Sequence, residues 1–254
     1  MSEPNIQQRL RAVGLIHVSA SLDDIVALAT KKRMSHIELL EHVVSAEESD
    51  RARRSLERRS GRARIGRFKS ISDYDWNWPS KIDRDVVESA LALDFLQDRR
   101  NIVLVAPQGL GKTMIAQNIA HQAVLAGQSV LFVTAAQVLL DLRAQESARA
   151  LERRLKYYAR IGLLVLDEIG YLAFDAANAD LLFQVITMRY EKKSLVLTTN
   201  LAFSEWTTIF PSATTATALI DRVVHHADVI AIEGKSYRLR EAEETKRRPR
   251  KSRA

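Results

Sequence analysis

Residues 101–113 read NIVLVAPQGLGKT, and they decide the fold. The first six are a short apolar run, which predicts a buried strand. Gly109, Gly111, Lys112 and Thr113 follow, and residues 112–125 carry helical periodicity that stops at Gly127. Strand, glycine loop and helix in that order are the setting of a phosphate loop. Glycines let the backbone turn its amides around phosphate oxygens, and the helix start adds partial positive charge. Lys112 is expected to reach the β- and γ-phosphates, and the Thr113 hydroxyl to ligate magnesium. The expected nucleotide cradle is Gly109, Leu110, Gly111, Lys112, Thr113 and Met114. The bland alternative is an ordinary glycine turn with a surface lysine. One position departs from the usual pattern, since Ala106 stands where the loop's first glycine would be. An alanine there is expected to tighten or distort the loop entry.

Downstream, residues 163–168 read LLVLDE. Four apolar residues ending in two acids predict a buried strand whose carboxylates emerge at its C-terminal end, where open α/β sheets bind ligands. Asp167 is expected to hold magnesium through water, and Glu168 to polarise the attacking water. Alone, such a pair is equally a solvated turn; a phosphate loop upstream changes the balance. Residues 195–200, LVLTTN, end a neighbouring strand. There Asn200 either touches the γ-phosphate or the water, or caps the next loop. Further strands are predicted at 129–133, 161–167 and 228–232, and helices from about 135 and over 178–190. The alternation predicts an α/β fold with a mainly parallel sheet covered on both faces.

Upstream, residues 1–70 read as helical, from the spacing of Ile6, Leu10, Val13 and Leu15. Ser21 with Asp24 and Ser35 with Glu38 have the form of capping boxes. The last helix is expected to run into a charged extension. Arg51, Arg53, Arg54, Arg58, Arg59, Arg62, Arg64, Arg67 and Lys69 fall within 19 residues, with Glu57 the one acid after Asp50. On a helix Arg51, Arg54, Arg58 and Arg62 share a face. Arg51, Arg54, Arg58, Arg59, Arg62, Arg64 and Arg67 are the candidate DNA-binding residues, because such a face suits phosphate contacts. A solvated charged linker is the alternative.

The intervening stretch carries Trp76, Trp78 and Pro79. Its tryptophans either pack the linker onto the domain or stack on bases. His225 and His226 are adjacent, and no acid–histidine spacing in the chain supports a metal site. The expected organisation is a basic helical DNA-binding domain at 1–70, a linker with an entry helix at 71–98, an ATPase domain at 99–240 and a basic disordered tail at 241–254.

The chain of 254 residues is 46% hydrophobic and 27% charged, with a formal net charge of +7. That composition suits a folded protein with a polyanionic partner. It has no cysteine, so disulfides and thiolate metal sites are excluded. No apolar run approaches the ~20 residues of a membrane span, and no signal-peptide core opens the chain. A cytoplasmic protein without membrane contact is expected.

Taken together, the phosphate loop, LLVLDEIGYL, ADLLFQVITMRYE, TTNLAFSEW and LIDRVVHHADVIAIEGKSYRLRE resemble the IstB-type transposition helper ATPases, which are related to DnaC and DnaA. The resemblance covers about residues 5–240. It implies an AAA+ core after a small all-helical N-terminal domain, with ATP and magnesium bound between the subunits of a homo-oligomer. It makes Asn200 similar to a sensor residue, Arg222 to an arginine finger serving the next subunit's ATP, and Arg238 to a second sensor. It also implies duplex DNA and the transposase of the same insertion element as partners. A replicative helicase loader and a nucleotide-gated DNA scaffold are the alternatives.

Overall fold

The computed structural model describes residues 5–171 and 173–241. The basic tail expected at 241–254 lies, beyond Glu241, outside the described residues. The chain divides into two compact units between Arg58 and Arg59.

The first unit is helical. It contains α1 (Ile6–Ala12), α2 (Ile16–Ala20), α3 (Leu22–Lys32) and most of α4 (His36–Ala63). Of the two expected capping boxes, one forms. The Ser35 amide donates to Glu38 Oε2 at 2.7 Å, and the Glu38 amide donates to Ser35 Oγ. Ser21 does not cap α3. Its backbone is off the extended conformation of a cap, and its hydroxyl donates to the His17 carbonyl. Of the unit's two buried acids, Glu47 and Asp50, Glu47 is 3% exposed and accepts from the His17 and Val18 amides at the start of α2. Burial pushes its carboxyl up, but those amides and the Arg54 guanidinium win and hold it below the usual range.

Residues 59–70 were read with the N-terminal part, but they belong to the second unit. Their polar groups explain why: Arg59 Nε donates to the Val124 carbonyl, and the Ile65 and Lys69 carbonyls accept from Gln117 and Asn118. The second unit continues with α5 (Arg84–Ala92) and α6 (Asp94–Gln97). Then come β1 (Asn101–Val105), α7 (Lys112–Leu125), β2 (Val130–Thr134), α8 (Ala135–Arg143) and α9 (Ala148–Arg160). Next are β3 (Leu163–Ile169), α10 (Ala176–Arg189), β4 (Leu195–Thr199), α11 (Ala213–Val224) and β5 (Ala227–Ala231).

The five strands form one parallel sheet in the order β2-β3-β4-β1-β5. Side chains alternate along a strand. On one face Val103, Leu131, Leu164, Leu166 and Leu197 join a core with α8, α10 and α11. Buried Ile115, Ile119 and Val124 of α7 lie outside that cluster, and α7 packs against β1 to β4. Helices therefore cover both faces, as a parallel sheet requires. Two helices were not read from sequence, α9 and α11. Fully buried Arg189 closes the crossover after α9 by donating to the Tyr158, Ile161 and Ser194 carbonyls. Burial pulls its pKa down to about 9. Among the described residues no helix is long and apolar enough to cross a membrane.

Candidate nucleotide-binding site

The order β2-β3-β4-β1-β5 puts the C-terminal ends of β1, β3 and β4 side by side. The loop after β1 begins at Ala106. It is 2% exposed, its amide donates to the Thr199 carbonyl at 3.1 Å, and it is not among the positive-φ residues. An alanine is therefore accommodated there without left-handed strain, contrary to the distortion expected. Gly109 and Gly111 do lie in the left-handed region, at φ +81° and +87°. A Cβ at Gly109 would also sit 2.1 Å from Ser236 Oγ, and one at Gly111 would sit 2.5 Å from a Tyr74 ring carbon. These positions need glycine for conformation and for close approach alike.

Lys112 opens α7, and its ammonium donates to the Ala106 and Pro107 carbonyls. Burial lowers its pKa, and the Asp167 charge opposes that fall. Thr113 Oγ1 lies 3.2 Å from both oxygens of Asp167, which is 4% exposed at the end of β3. A hydroxyl and a carboxylate at this spacing are an all-oxygen donor pair that suits a hard cation such as magnesium. Glu168 is exposed and left-handed, at φ +62°. Its amide donates to Thr198 Oγ1 at 3.0 Å.

A cavity of about 830 Å³ gathers Gly109 to Met114, Glu168, Asn200 and Arg238. Another part of its wall comes from the two ends of the unit. The linker residue Tyr74 donates its hydroxyl to the Leu110 carbonyl at 3.0 Å. Lys81 bridges to Glu233, the Tyr237 amide donates to the Gly109 carbonyl, and Trp78 Nε1 donates to the Lys235 carbonyl at 2.7 Å. Trp78 meets Tyr237 edge-on, and Trp76 packs on Tyr74. The tryptophans thus pack the linker, while Tyr74, Trp78 and Tyr237 line the cavity. Tyr74, Ser236 and Tyr237 were not read from sequence; the aromatic density of residues 74–78 was the available signal. A phosphate cradle beside an aromatic wall fits a nucleoside triphosphate in size and chemistry.

Arg222 is not in this cavity. It sits on α11 with its guanidinium 4.4 Å from the Phe183 ring centroid, in a cleft shared with Tyr190 and Asp221. His225 and His226 differ from expectation, because a third group joins them through the fold. Their ligand atoms and that of Glu191, on the turn after α10, lie within 4.8 Å of one another, all exposed. His226 Nε2 is 3.4 Å from Glu191, and His225 Nδ1 is 2.7 Å from the Tyr190 hydroxyl.

The arginine run is divided in use. In the first unit Arg51 pairs with Glu47, and Arg54 pairs with Glu47 and Asp50. Arg51 also donates to the Gly14 carbonyl. These two, expected on a DNA-facing surface, are engaged by buried acids of their own helix. Arg58 is exposed there and makes no ion pair among the described residues. In the second unit Arg62, Arg64 and Arg67 are exposed and make no ion pair among the described residues, whereas Arg59 is partly buried. On α9, Arg149, Arg153, Lys156 and Arg160 form a further exposed basic face at helical spacing that the sequence reading missed.

The family model described as IstB-like ATP binding protein matches residues 8–245. The chain is 35% identical over 225 residues to the ATP-binding protein of insertion sequence IS21 from Pseudomonas aeruginosa, covering 89% of this chain and 85% of that protein. It is 33% identical over 243 residues to the ATP-binding protein of insertion sequence IS232 from Bacillus thuringiensis subsp. berliner, covering 94% and 96%. Among solved structures, DnaI matches at TM-score 0.54 and 20% identity, covering 68% of this chain and 91% of that one.

Proposed function

Since this chain belongs to the family of IstB-like ATP-binding proteins, we propose that it is an ATP hydrolase of the AAA+ kind that serves an insertion sequence by working on duplex DNA. The observation that carries the reading is one cavity holding Gly109–Thr113, Glu168 and Asn200, with Asp167 hydrogen-bonded to Thr113 behind it.

The chemistry follows from that placement. The loop amides and Lys112 bind the β- and γ-phosphates. Thr113 and Asp167 would hold magnesium, which would supply charge neutralisation at the phosphates. Glu168 projects into the cavity, where its carboxylate orients a water and takes its proton. Asn200 meets the same water or the γ-phosphate. Arg222 lies outside this cavity, and the family resemblance assigns it to the ATP site of a neighbouring copy in a homo-oligomer. A guanidinium placed there stabilises charge on the transferring phosphoryl.

DNA contacts are assigned to arginines that are exposed and make no ion pair among the described residues: Arg58 in the first unit and, separately, Arg62, Arg64 and Arg67 in the second. Phosphate contacts of this kind give affinity without sequence readout. The client in this reading is the transposase of the same element, directed to target DNA. Glu168 argues against a mere nucleotide-gated scaffold, because such a protein needs no water-orienting acid.

The test is ATP hydrolysis by the purified protein with and without duplex DNA, over a range of salt. Stimulation that fades with salt is the expected result. Hydrolysis indifferent to DNA would defeat the DNA reading and favour a protein client such as a replicative helicase.

A further inference from the structure

Between β3 and β4 the register runs Leu166 to Leu197 and then Ile169 to Thr199. Two residues, Asp167 and Glu168, therefore stand opposite one, Thr198. This is a β-bulge, and a bulge re-aims side chains while leaving an amide outside the ladder. In a regular strand Asp167 and Glu168 would project to opposite faces. Here Asp167 is buried beside Thr113, and Glu168, in left-handed backbone, points into the cavity.

The stranded amide is that of Glu168, and it finds Thr198. Thr198 is 1% exposed, and its Oγ1 lies 3.0 Å from the Glu168 nitrogen and 2.5 Å from Asp167 Oδ1. The proton assignment has one solution. An amide only donates and a carboxylate only accepts, so the hydroxyl takes the amide hydrogen and gives its own to Asp167. One side chain thus ties both acids to β4. The tie engages Asp167 Oδ1 from the β4 side, and the Thr113 hydroxyl lies 3.2 Å from both carboxylate oxygens.

We propose that Thr198 is a positioning residue for ATP hydrolysis: its hydroxyl sets the bulge that separates the cation-holding acid from the water-orienting acid. The proposal rests on the reading of Asp167 and Glu168 given above. Valine has nearly the shape of threonine but neither donates nor accepts. Thr198→Val should therefore keep the packing and lose the tie, whereas Thr198→Ser should keep the tie.

The test uses the full chain in three forms: wild type, Thr198→Val and Thr198→Ser. It reads kcat, ATP affinity by fluorescent-analogue titration, and exchange of the Glu168 amide hydrogen. In Thr198→Val, kcat should fall about 100-fold, as expected when a catalytic group is misplaced by about 1 Å. ATP affinity should stay within about three-fold of wild type, since the phosphate cradle is untouched. The Glu168 amide should exchange faster in the valine protein and stay protected in the serine protein, whose kcat should lie within about five-fold of wild type. Wild-type turnover in Thr198→Val, or an equal loss in Thr198→Ser, would overturn the proposal. Should the valine protein not fold, Thr198→Ala takes its place with the same expectations. A wild type that neither binds nor hydrolyses ATP would defeat the nucleotide reading instead, and amide exchange would still decide whether Thr198 holds the bulge.

Discussion

At the phosphate loop the polar groups are placed by backbone; along residues 51–67 the charges ride on long, flexible side chains. The difference shows in what each region can promise. Gly109 and Gly111 have one workable conformation, with Ser236 and Tyr74 against them, so the loop amides and Lys112 have few other places to be. An arginine has many places to be, and nearby acids compete for it. Glu47 and Asp50, almost fully buried, take Arg51 and Arg54, while Arg58, Arg62, Arg64 and Arg67 stay exposed. A motif fixed by spacing keeps its meaning in the fold. A motif fixed by net charge keeps it only where no internal partner intervenes.

The largest effect that can break this contrast is expected at Arg222. It is a side chain whose role was assigned without a backbone-fixed setting. Arg222→Ala should lower kcat by about a thousand-fold, the lower end of what an arginine finger contributes. ATP affinity should be unchanged. Mixing it with Glu168→Gln should restore part of the activity, because each variant supplies the group that the other lacks. Loss of ATP binding in Arg222→Ala would instead place the guanidinium in its own subunit's site.

A smaller effect sharpens the other side of the contrast. Replacing Arg62, Arg64 and Arg67 together with alanine should reduce the slope of log DNA affinity against log salt by about 2 to 3, at roughly 0.9 per phosphate contact. Replacing Arg51 and Arg54 should change that slope by less than about 1, while lowering the melting temperature, because buried Glu47 would lose both its arginines and Asp50 would keep only Arg53. Equal slopes for the two variants, measured by titration at several salt concentrations, would show that exposure does not select the DNA-contacting arginines.

Much of the core was legible because it is written in continuous apolar runs. Residues 195–199 form β4 as expected, and 112–125 form α7. Ser35 and Glu38 cap α4 because both ends of the box are local, whereas the Ser21 hydroxyl found a closer acceptor one turn back. The helix α9 went unread because Leu151, Leu155 and Tyr158 are scattered among arginines. In α11, threonines and β-branched residues lower the intrinsic helix signal, and burial of Ala216, Leu219 and Val223 overrides it. At the site, Lys112, Thr113, Asp167 and Glu168 were readable from local order. Tyr74 and Tyr237 were not, since they meet only when the two ends of the second unit come together. Glu191 joins the two histidines in the same way. Thr198 was hidden for a further reason. Its importance depends on a bulge in the neighbouring strand, and a bulge is a property of pairing rather than of either strand alone.

The most direct test of the central claim, that residues 106–113 with Asp167 and Glu168 form an ATP site, is magnesium–ATP binding by the wild type and by Lys112→Ala. Micromolar affinity in the wild type, at least ~100-fold weaker in the variant because the β/γ-phosphates lose their cation, is the predicted result. Undiminished affinity in Lys112→Ala, with the protein still folded, would contradict it.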